Sequence, residues 1–223
     1  MKTKILPIIK RLFLIPVCAS CRQRLSPIID VTLPTYGKVC FCAKCANEWH
    51  KAKSKMCPIC ANTAEKCECT PKFFKKYQEY IPSVCFYDPE SHDTPSKAIL
   101  TAKKRNDPEL FEFFAIELVK NLKALLDKAN IDPKDCIVTW IPRQRKSISK
   151  HGFDQGERLA DHTAKLLGAD VVPIFSRKGG EEQKLLDKAE RKLNAEGSII
   201  LKRKYREKGK NSSLAGKNIY IYK

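Results

Sequence analysis

Apolar and polar positions after residue 80 alternate between strand-like runs and runs with helical spacing. The continuous apolar run at 135–142 is typical of a strand buried on both faces of a parallel sheet. Shorter apolar or alternating runs predict four further strands, at 83–88, 169–175, 197–201 and 218–222. The second half of the chain is therefore expected to be built around a sheet.

Segments with helical spacing separate these runs. Apolar residues recur every three or four positions over 110–126, and Asp107 and Pro108 supply an N-cap and a first-turn proline. Two further helices are predicted, over 154–168 and 181–194. Strands that alternate with helices predict an α/β fold with a mostly parallel sheet, in which ligands bind beyond the carboxyl ends of the strands.

The first residues of the chain are apolar but do not form a signal peptide. Lys10 and Arg11 interrupt the apolar run, so that no uncharged centre of sufficient length exists. No stretch approaches the length of a membrane span. Residues 4–15 are predicted to form a short amphipathic helix, and a cytoplasmic protein is expected.

Cysteines mark the first third of the chain, because nine of the eleven lie before residue 70. A Cys-x-x-Cys pair places two sulfurs on one tight turn and supplies half of a tetrahedral metal site. Sequential pairing gives two zinc sites, formed by Cys18, Cys21, Cys42 and Cys45, and by Cys57, Cys60, Cys67 and Cys69. Such sites suit the turns of a double zinc ribbon, where Zn²⁺ replaces a core that the segment is too small to build.

Several alternatives to this ligand set remain open. Cys40 lies two residues from Cys42 and is a possible substitute for it. Disulfides are a second alternative, but nothing marks the chain as secreted. Cys85 and Cys136 lie in apolar runs and are interpreted as small core residues.

A cross-braced RING, the adaptor module of ubiquitin ligases, is a further interpretation of the cysteine pattern. A RING would need a ligand near Glu48, and it would leave Cys67 and Cys69 unexplained. The number of ligands therefore favours two sequential sites.

The formal net charge of +18 favours anionic partners such as nucleic acid or phosphorylated metabolites. Part of this charge follows the apolar run 135–142, in a glycine-bearing segment with no acid and with four cations, Arg143, Arg145, Lys146 and Lys150. A basic loop between a strand and a helix N-terminus suits phosphate, although an ordinary solvated loop has the same composition. A second basic stretch, 201–211, is interpreted as a mobile loop and a second nucleic-acid contact.

Two stretches of the sequence resemble the ComF/GntX family, in which a cysteine-rich zinc ribbon precedes a type I phosphoribosyltransferase-like domain. The stretch 137–160 is similar to the family segment in which an apolar strand, a proline turn and Arg-Gly-Phe-Asn-Gln follow one another; here that pentapeptide is residues 151–155. A second stretch matches the family's spacing at Gln183, Leu186, Glu190, Arg191 and Asn194. Lys103 lies where the family usually has a lysine after its first strand.

The resemblance implies a fold, a domain division and a ligand. From Cys18 onward it implies a zinc-ribbon domain over 18–72 and a phosphoribosyltransferase-like domain over 80–223. Residues 1–17, with the short helix predicted above, precede these two domains. The ligand would be phosphoribosyl pyrophosphate (PRPP) with Mg²⁺, or a similar phosphorylated ribose. Its pyrophosphate would be held by the segment that contains Arg143, Arg145, Lys146, Lys150, His151 and Gly152, with Gln155 and Lys103 nearby.

The resemblance also implies candidate catalytic residues and partners. Gln183, Arg191 and Asn194 are the catalytic candidates, although Arg191 fits a structural salt bridge equally well. ComF-type members are associated with DNA uptake during natural transformation, so single-stranded DNA and proteins of the uptake machinery are the expected partners. A zinc-dependent nucleic-acid-binding accessory protein without turnover is the alternative.

The sequence also departs from the family pattern. His151 replaces an arginine, Asp154 replaces an asparagine, and Gly180 stands where the family tends to carry threonine. The strand 218–222 resembles the one that precedes the family's PRPP loop and is expected to lie centrally in the sheet. Because the two acids and the Thr-Thr-Gly turn of that loop are absent after it, the domain is expected to be C-terminally truncated, incomplete and without phosphoribosyl transfer.

Overall fold

The structure is a computed structural model, and it describes residues 17–25, 40–67, 69, 83–88, 90–179, 198–205, 214 and 218–222. The chain divides into two compact units, Met1–Phe113 (unit 1) and Phe114–Lys223 (unit 2). The predicted helices 4–15 and 181–194 lie outside the described residues, as does most of the basic stretch 201–211.

Unit 1 contains two helices that pack against each other, α1 (Ala43–Lys53) and α2 (Thr94–Lys104). The strand predicted over 83–88 is wrong, because these residues form no ladder. The carbonyl of Asp88 instead accepts hydrogen bonds from the hydroxyls of Ser91, at 2.9 Å, and Ser96, at 2.6 Å. These hydroxyl groups bind Asp88 to the beginning of α2. The apolar run that was expected to be a strand therefore leads into a helix.

An aromatic cluster forms the core of unit 1. Phe41 and Trp49 stack with their ring centroids 5.9 Å apart, and Phe113 meets each of them edge to face at 5.0 Å. All three side chains are buried. Because rings in edge-to-face contact gain energy beyond the burial of their area, this cluster fixes α1 against the segment before it.

Three parallel strands form the sheet of unit 2. Strand β1 (Cys136–Trp140) lies between β2 (Asp170–Val171) and β5 (Asn218–Tyr222). The buried strand predicted over 135–142 is thus confirmed, and every residue of β1 is buried. The expectation that 218–222 lies centrally is wrong within the described strands, since β5 pairs only with β1 and its Ile219 and Ile221 are exposed.

A second, two-stranded sheet is antiparallel and consists of β3 (Phe175–Arg177) and β4 (Ile199–Leu201). The single strand predicted over 169–175 is therefore two short strands, β2 and β3, with Pro173 between them. Proline has no N–H to donate to a ladder, which explains the interruption.

Three helices accompany the strands: α3 (Pro108–Ala129), α4 (Arg145–His151) and α5 (Gln155–Leu167). The carboxylate of Asp107 accepts from the N–H groups of Glu109 and Leu110, which confirms the cap predicted for α3. Helix α5 packs on β1 and ends at Gly168, whose φ of 81° is left-handed. None of the helices in the described ranges combines the length and the apolar character that a membrane crossing requires.

Buried side chains of β1 pack against α3 and α5 in two clusters. Val138 and Trp140 pack against Ala160 and Ala164 of α5. At the start of the strand, Cys136 belongs to a cluster with Val119, Leu126, Leu167 and Tyr220. The carboxyl end of β1 is thereby held rigidly, and the basic segment begins there.

Candidate functional site

The structure brings the eight cysteines of the two predicted sets together as two separate groups of four. Within each group the sulfur atoms all lie within 4.8 Å of one another. The Sγ atoms of Cys21 and Cys42 are 3.7 Å apart, and those of Cys60 and Cys67 are 3.6 Å apart. Four sulfurs about 2.3 Å from one Zn²⁺ would be separated by roughly 3.8 Å along each tetrahedral edge. The arrangement therefore fits a four-thiolate zinc site and excludes disulfides between these atoms, which need about 2.05 Å.

The first cysteine pair of each group lies on the same kind of turn. The N–H of Cys18 donates to the carbonyl of Gln23, and the N–H of Arg22 donates to the carbonyl of Cys18. The second turn repeats this pattern between Cys57 and Asn62, and between Ala61 and Cys57. Each turn is thus closed by two backbone hydrogen bonds that point both sulfurs of the pair to one side.

A left-handed residue follows each of these pairs. Arg22 has a φ of 67° and Ala61 a φ of 55°, in a region where residues other than glycine are strained. Because neither position carries glycine, only the cysteine spacing itself indicates these turns in the sequence.

The second pair of the first group does not lie on a turn between strands, as a zinc ribbon would require. Cys42 is the N-cap of α1 and Cys45 lies in its first turn. The N–H of Ala46 donates to the carbonyl of Cys42 at 2.9 Å, which begins the helix at the ligand. The first group therefore combines one cysteine pair on a turn with one pair at the N-terminus of a helix.

The two groups differ in their exposure to solvent. Cys18, Cys42 and Cys45 are buried and only Cys21 is exposed, whereas Cys60, Cys67 and Cys69 are all partly accessible. Metal in the first group would be shielded on most sides. A metal ion in the second group would be more accessible to solvent.

The cysteine thiols are also unequal in acidity. Burial raises the pKa of the Cys42 thiol to about 12, and hydrogen bonding to Cys60 raises the pKa of Cys69 to about 12. The N–H groups of Cys60 and Ile59 donate to the Cys57 sulfur and lower its pKa to about 7. A metal ion must displace protons from most of these thiols, so its affinity falls as the pH falls.

The alternatives for the ligand set are resolved by position. Cys40 is buried outside both groups; its carbonyl accepts from the N–H of Ala19 at 2.8 Å, and burial raises the pKa of its thiol. Glu48, near which a cross-braced RING would need a ligand, accepts a hydrogen bond from Thr94 at 2.7 Å. Cys136 is fully buried in the core of unit 2, as expected, and Cys85 is half-buried.

Helix α2 is bound to the first cysteine turn by buried hydroxyl groups. The hydroxyl of Ser20, between the two ligands of that turn, donates to Thr94, which in turn donates to Glu48 of α1. The hydroxyl of Thr101 donates to the carbonyl of Ala19 at 2.7 Å. These contacts, which no sequence pattern predicted, make α2 part of the first metal centre's surroundings. The exposed Lys103 lies on this helix in unit 1.

The basic segment after β1 is a short helix, α4, rather than the loop that was predicted. Arg145, Lys146 and Lys150 are exposed on it, and Arg143 and His151 are half-buried. Helix α4 ends at Gly152, whose φ is 77° and whose N–H donates to the carbonyl of Ile148 at 2.6 Å. The cations are therefore presented by a helix, and the N–H of Gly152 is already used.

Asp154 occupies the position that was expected to receive an anion. Its carboxylate is buried and accepts from the N–H of Arg143 at 2.7 Å and from the N–H of Gly156 at 2.9 Å. It thus caps α5 and fixes the backbone that leaves β1. Because these N–H groups are satisfied internally, an anion at this end of β1 would be held by side chains.

One basic residue near this end of β1, Arg177, was not predicted as a site residue from the sequence. Arg177 of β3 is half-buried, and its Nε has no hydrogen-bond partner among the described residues. The side-chain oxygen of Gln155 is likewise buried without a partner there. Only the position of Arg177 in the fold identifies it, since in the sequence it is one of many basic residues. The remaining predicted residues, Gly180, Gln183, Arg191 and Asn194, lie outside the described residues.

No protein family, curated protein or solved structure matches this chain at a significant level. The assignment of its function therefore depends on the residues and geometry given above.

Proposed function

We propose that this chain is a ComF-like protein that binds PRPP or a similar phosphorylated ribose on a type I phosphoribosyltransferase-like unit and has affinity for single-stranded DNA. One observation carries the proposal: exposed cations of α4, Arg145, Lys146 and Lys150, follow the carboxyl end of a buried parallel strand. This is the end at which open α/β sheets bind ligands. The same chain also carries two four-cysteine groups, as the family would require.

In this proposal the metal sites have a structural role. A site closed by four thiolates offers no open position to a substrate, so zinc would stabilise unit 1 rather than take part in a reaction. The double zinc ribbon of the resemblance would correspond to the two cysteine groups, with α1 in place of the second turn of the first group.

The side chains of α4 would supply positive charge to a pyrophosphate, and PRPP would bring Mg²⁺ with it. Catalysis of this type depends on position and electrostatics rather than on a nucleophile from the protein. Gln183, Arg191 and Asn194 would complete the site, and proteins of a DNA-uptake apparatus would be further partners.

A second candidate function is that of a zinc-dependent nucleic-acid-binding accessory protein without turnover. Asp154 favours it, because its buried carboxylate occupies the N-terminus of α5 and adds negative charge where pyrophosphate would lie. The N–H groups of Arg143 and Gly156 are already used, so an anion would contact only the exposed side chains of α4. Such contacts suit the phosphate backbone of a nucleic acid, which is recognised through charge.

Competition between PRPP and DNA distinguishes the two candidates. The zinc-loaded chain is titrated with a fluorescent single-stranded oligonucleotide, with and without PRPP and Mg²⁺, at about 50 mM and about 200 mM salt. The first proposal predicts that PRPP with Mg²⁺ binds and displaces part of the oligonucleotide. Binding that is insensitive to PRPP and weakens at least tenfold at the higher salt would favour the second. Absence of binding to both ligands would contradict both candidates.

A further inference from the structure

The guanidinium group of Arg177 lies in an unusual environment. This residue lies in β3, is half-buried, and its Nε is fully shielded without a hydrogen bond within the part of the chain that the structure describes. Withdrawing a guanidinium from water is costly unless a charge or acceptor compensates for it. Burial accordingly lowers the pKa of Arg177, and the nearby charge of Asp154 opposes this effect only in part.

Strand β3 places this side chain near the carboxyl end of β1. The N–H of Val172 donates to the carbonyl of Val138 at 3.0 Å, and the N–H of Ile174 lies 3.4 Å from the hydroxyl of Thr139, which accepts its hydrogen bond. The chain therefore follows β1 towards its carboxyl end before β3 begins. The backbone of Gly156, which follows Gln155, lies against Trp140, the last residue of β1, so Asp154 and Gln155 are at this same end of the strand.

Asp154 does not satisfy Arg177. Its two oxygens already accept the N–H groups of Arg143 and Gly156, and no ion pair joins it to Arg177 within the described residues. Gln155, the next residue, has a buried amide oxygen without a donor. The unmatched donor of Arg177 and the unmatched acceptor of Gln155 thus both belong to segments at the carboxyl end of β1.

We propose that Arg177 binds a phosphate group of a hydroxyl-bearing ligand at the carboxyl end of β1. The unmatched Nε–H donates to a phosphate oxygen, and the unmatched oxygen of Gln155 accepts from a ligand hydroxyl. A phosphorylated sugar carries the two groups on separate atoms and can reach both side chains at once, whereas the hydroxyl of inorganic phosphate lies on the same phosphorus that Arg177 would bind. This inference rests on the proposed function, since it names a residue and a ligand class for the same end of the sheet.

Replacing Arg177 with methionine tests the inference against a matched control. Inorganic phosphate and ribose 5-phosphate are titrated into the zinc-loaded chain, into Arg177→Met and into Lys178→Met, which removes an exposed charge from the adjacent position. We expect Arg177→Met to weaken ribose 5-phosphate binding about 10- to 100-fold and Lys178→Met to weaken it less than about threefold. Wild type should bind ribose 5-phosphate more tightly than phosphate.

Thermal unfolding separates a ligand-binding role from a structural one. Because Arg177 is a partly buried, unmatched cation, Arg177→Met should unfold without ligand at the same temperature as wild type or higher. Arg177→Lys, which keeps the charge and loses the Nε donor, should retain the fold and bind more weakly than wild type. Unchanged affinity in both Arg177 variants would overturn this inference alone, as would a lower unfolding temperature of Arg177→Met with binding retained by Arg177→Lys. If wild type binds neither ribose 5-phosphate nor PRPP, the proposed function fails as well.

Discussion

Replacing Cys42 with serine is expected to cost the chain one zinc ion and to unfold unit 1. Cys42 is a buried member of the first cysteine group, so its loss removes one of four ligands from the metal site. Its side chain makes no cap hydrogen bond, and serine is a favoured N-cap, so the loss of stability is expected to come from the metal rather than from the start of α1. Zinc binding to such sites contributes on the order of 10 kcal/mol to folding. The variant should therefore lose more stability than almost any single core substitution.

Zinc content and tryptophan fluorescence measure this effect. Trp49 lies in the aromatic cluster of unit 1, and a Trp140→Phe background leaves it as the single tryptophan of the chain. We expect about half the zinc and a red-shifted Trp49 emission in Cys42→Ser. Cys40→Ser is the matched control, because this thiol is buried two residues away outside the cysteine group. Equal zinc loss in both variants would show that Cys40 contributes a ligand.

Replacing Asp154 with alanine is expected to destabilise unit 2 by about 3 kcal/mol. The substitution removes two hydrogen bonds from a charged acceptor and leaves the N–H groups of Arg143 and Gly156 without their partner. Denaturant unfolding measures the change in free energy. Asp161→Ala, on the exposed face of α5, removes the same charge and should change stability by less than about 0.5 kcal/mol.

A third variant, Asp154→Asn, tests the electrostatics of the candidate site. If the charge of Asp154 opposes an anion at this end of β1, Asp154→Asn should bind ribose 5-phosphate more tightly than wild type while losing part of the stability. Stability equal to wild type in Asp154→Ala would contradict the structural role assigned to this carboxylate.

The two cysteine groups were accessible from the sequence because Cys-x-x-Cys spacing is a local property. Such a pair brings its two sulfurs together both on a turn and at the start of a helix, so the grouping of eight cysteines followed from their order. The sequence could not show that Cys42 and Cys45 begin a helix, because the preference of α1 for helical structure depends on packing Trp49 against Phe41 and Phe113.

Strand order and the details of the anion site were less accessible. An apolar run such as 135–142 identifies a buried strand. The pattern of 218–222 occurs in edge strands and in central strands alike, so the edge position of β5 could not be predicted. The interaction of Asp154 with Arg143 joins residues eleven positions apart. Arg177 was missed because its burial, not its residue type, distinguishes it from the other cations.

The zinc content and coordination of the purified wild-type chain test the account most directly. The two groups of four sulfurs predict two zinc ions per chain in native mass spectrometry and no disulfide bond. X-ray absorption at the zinc edge should show four sulfur ligands at about 2.3 Å around each ion. A single zinc ion, nitrogen or oxygen ligands, or disulfides among these eight cysteines would contradict it.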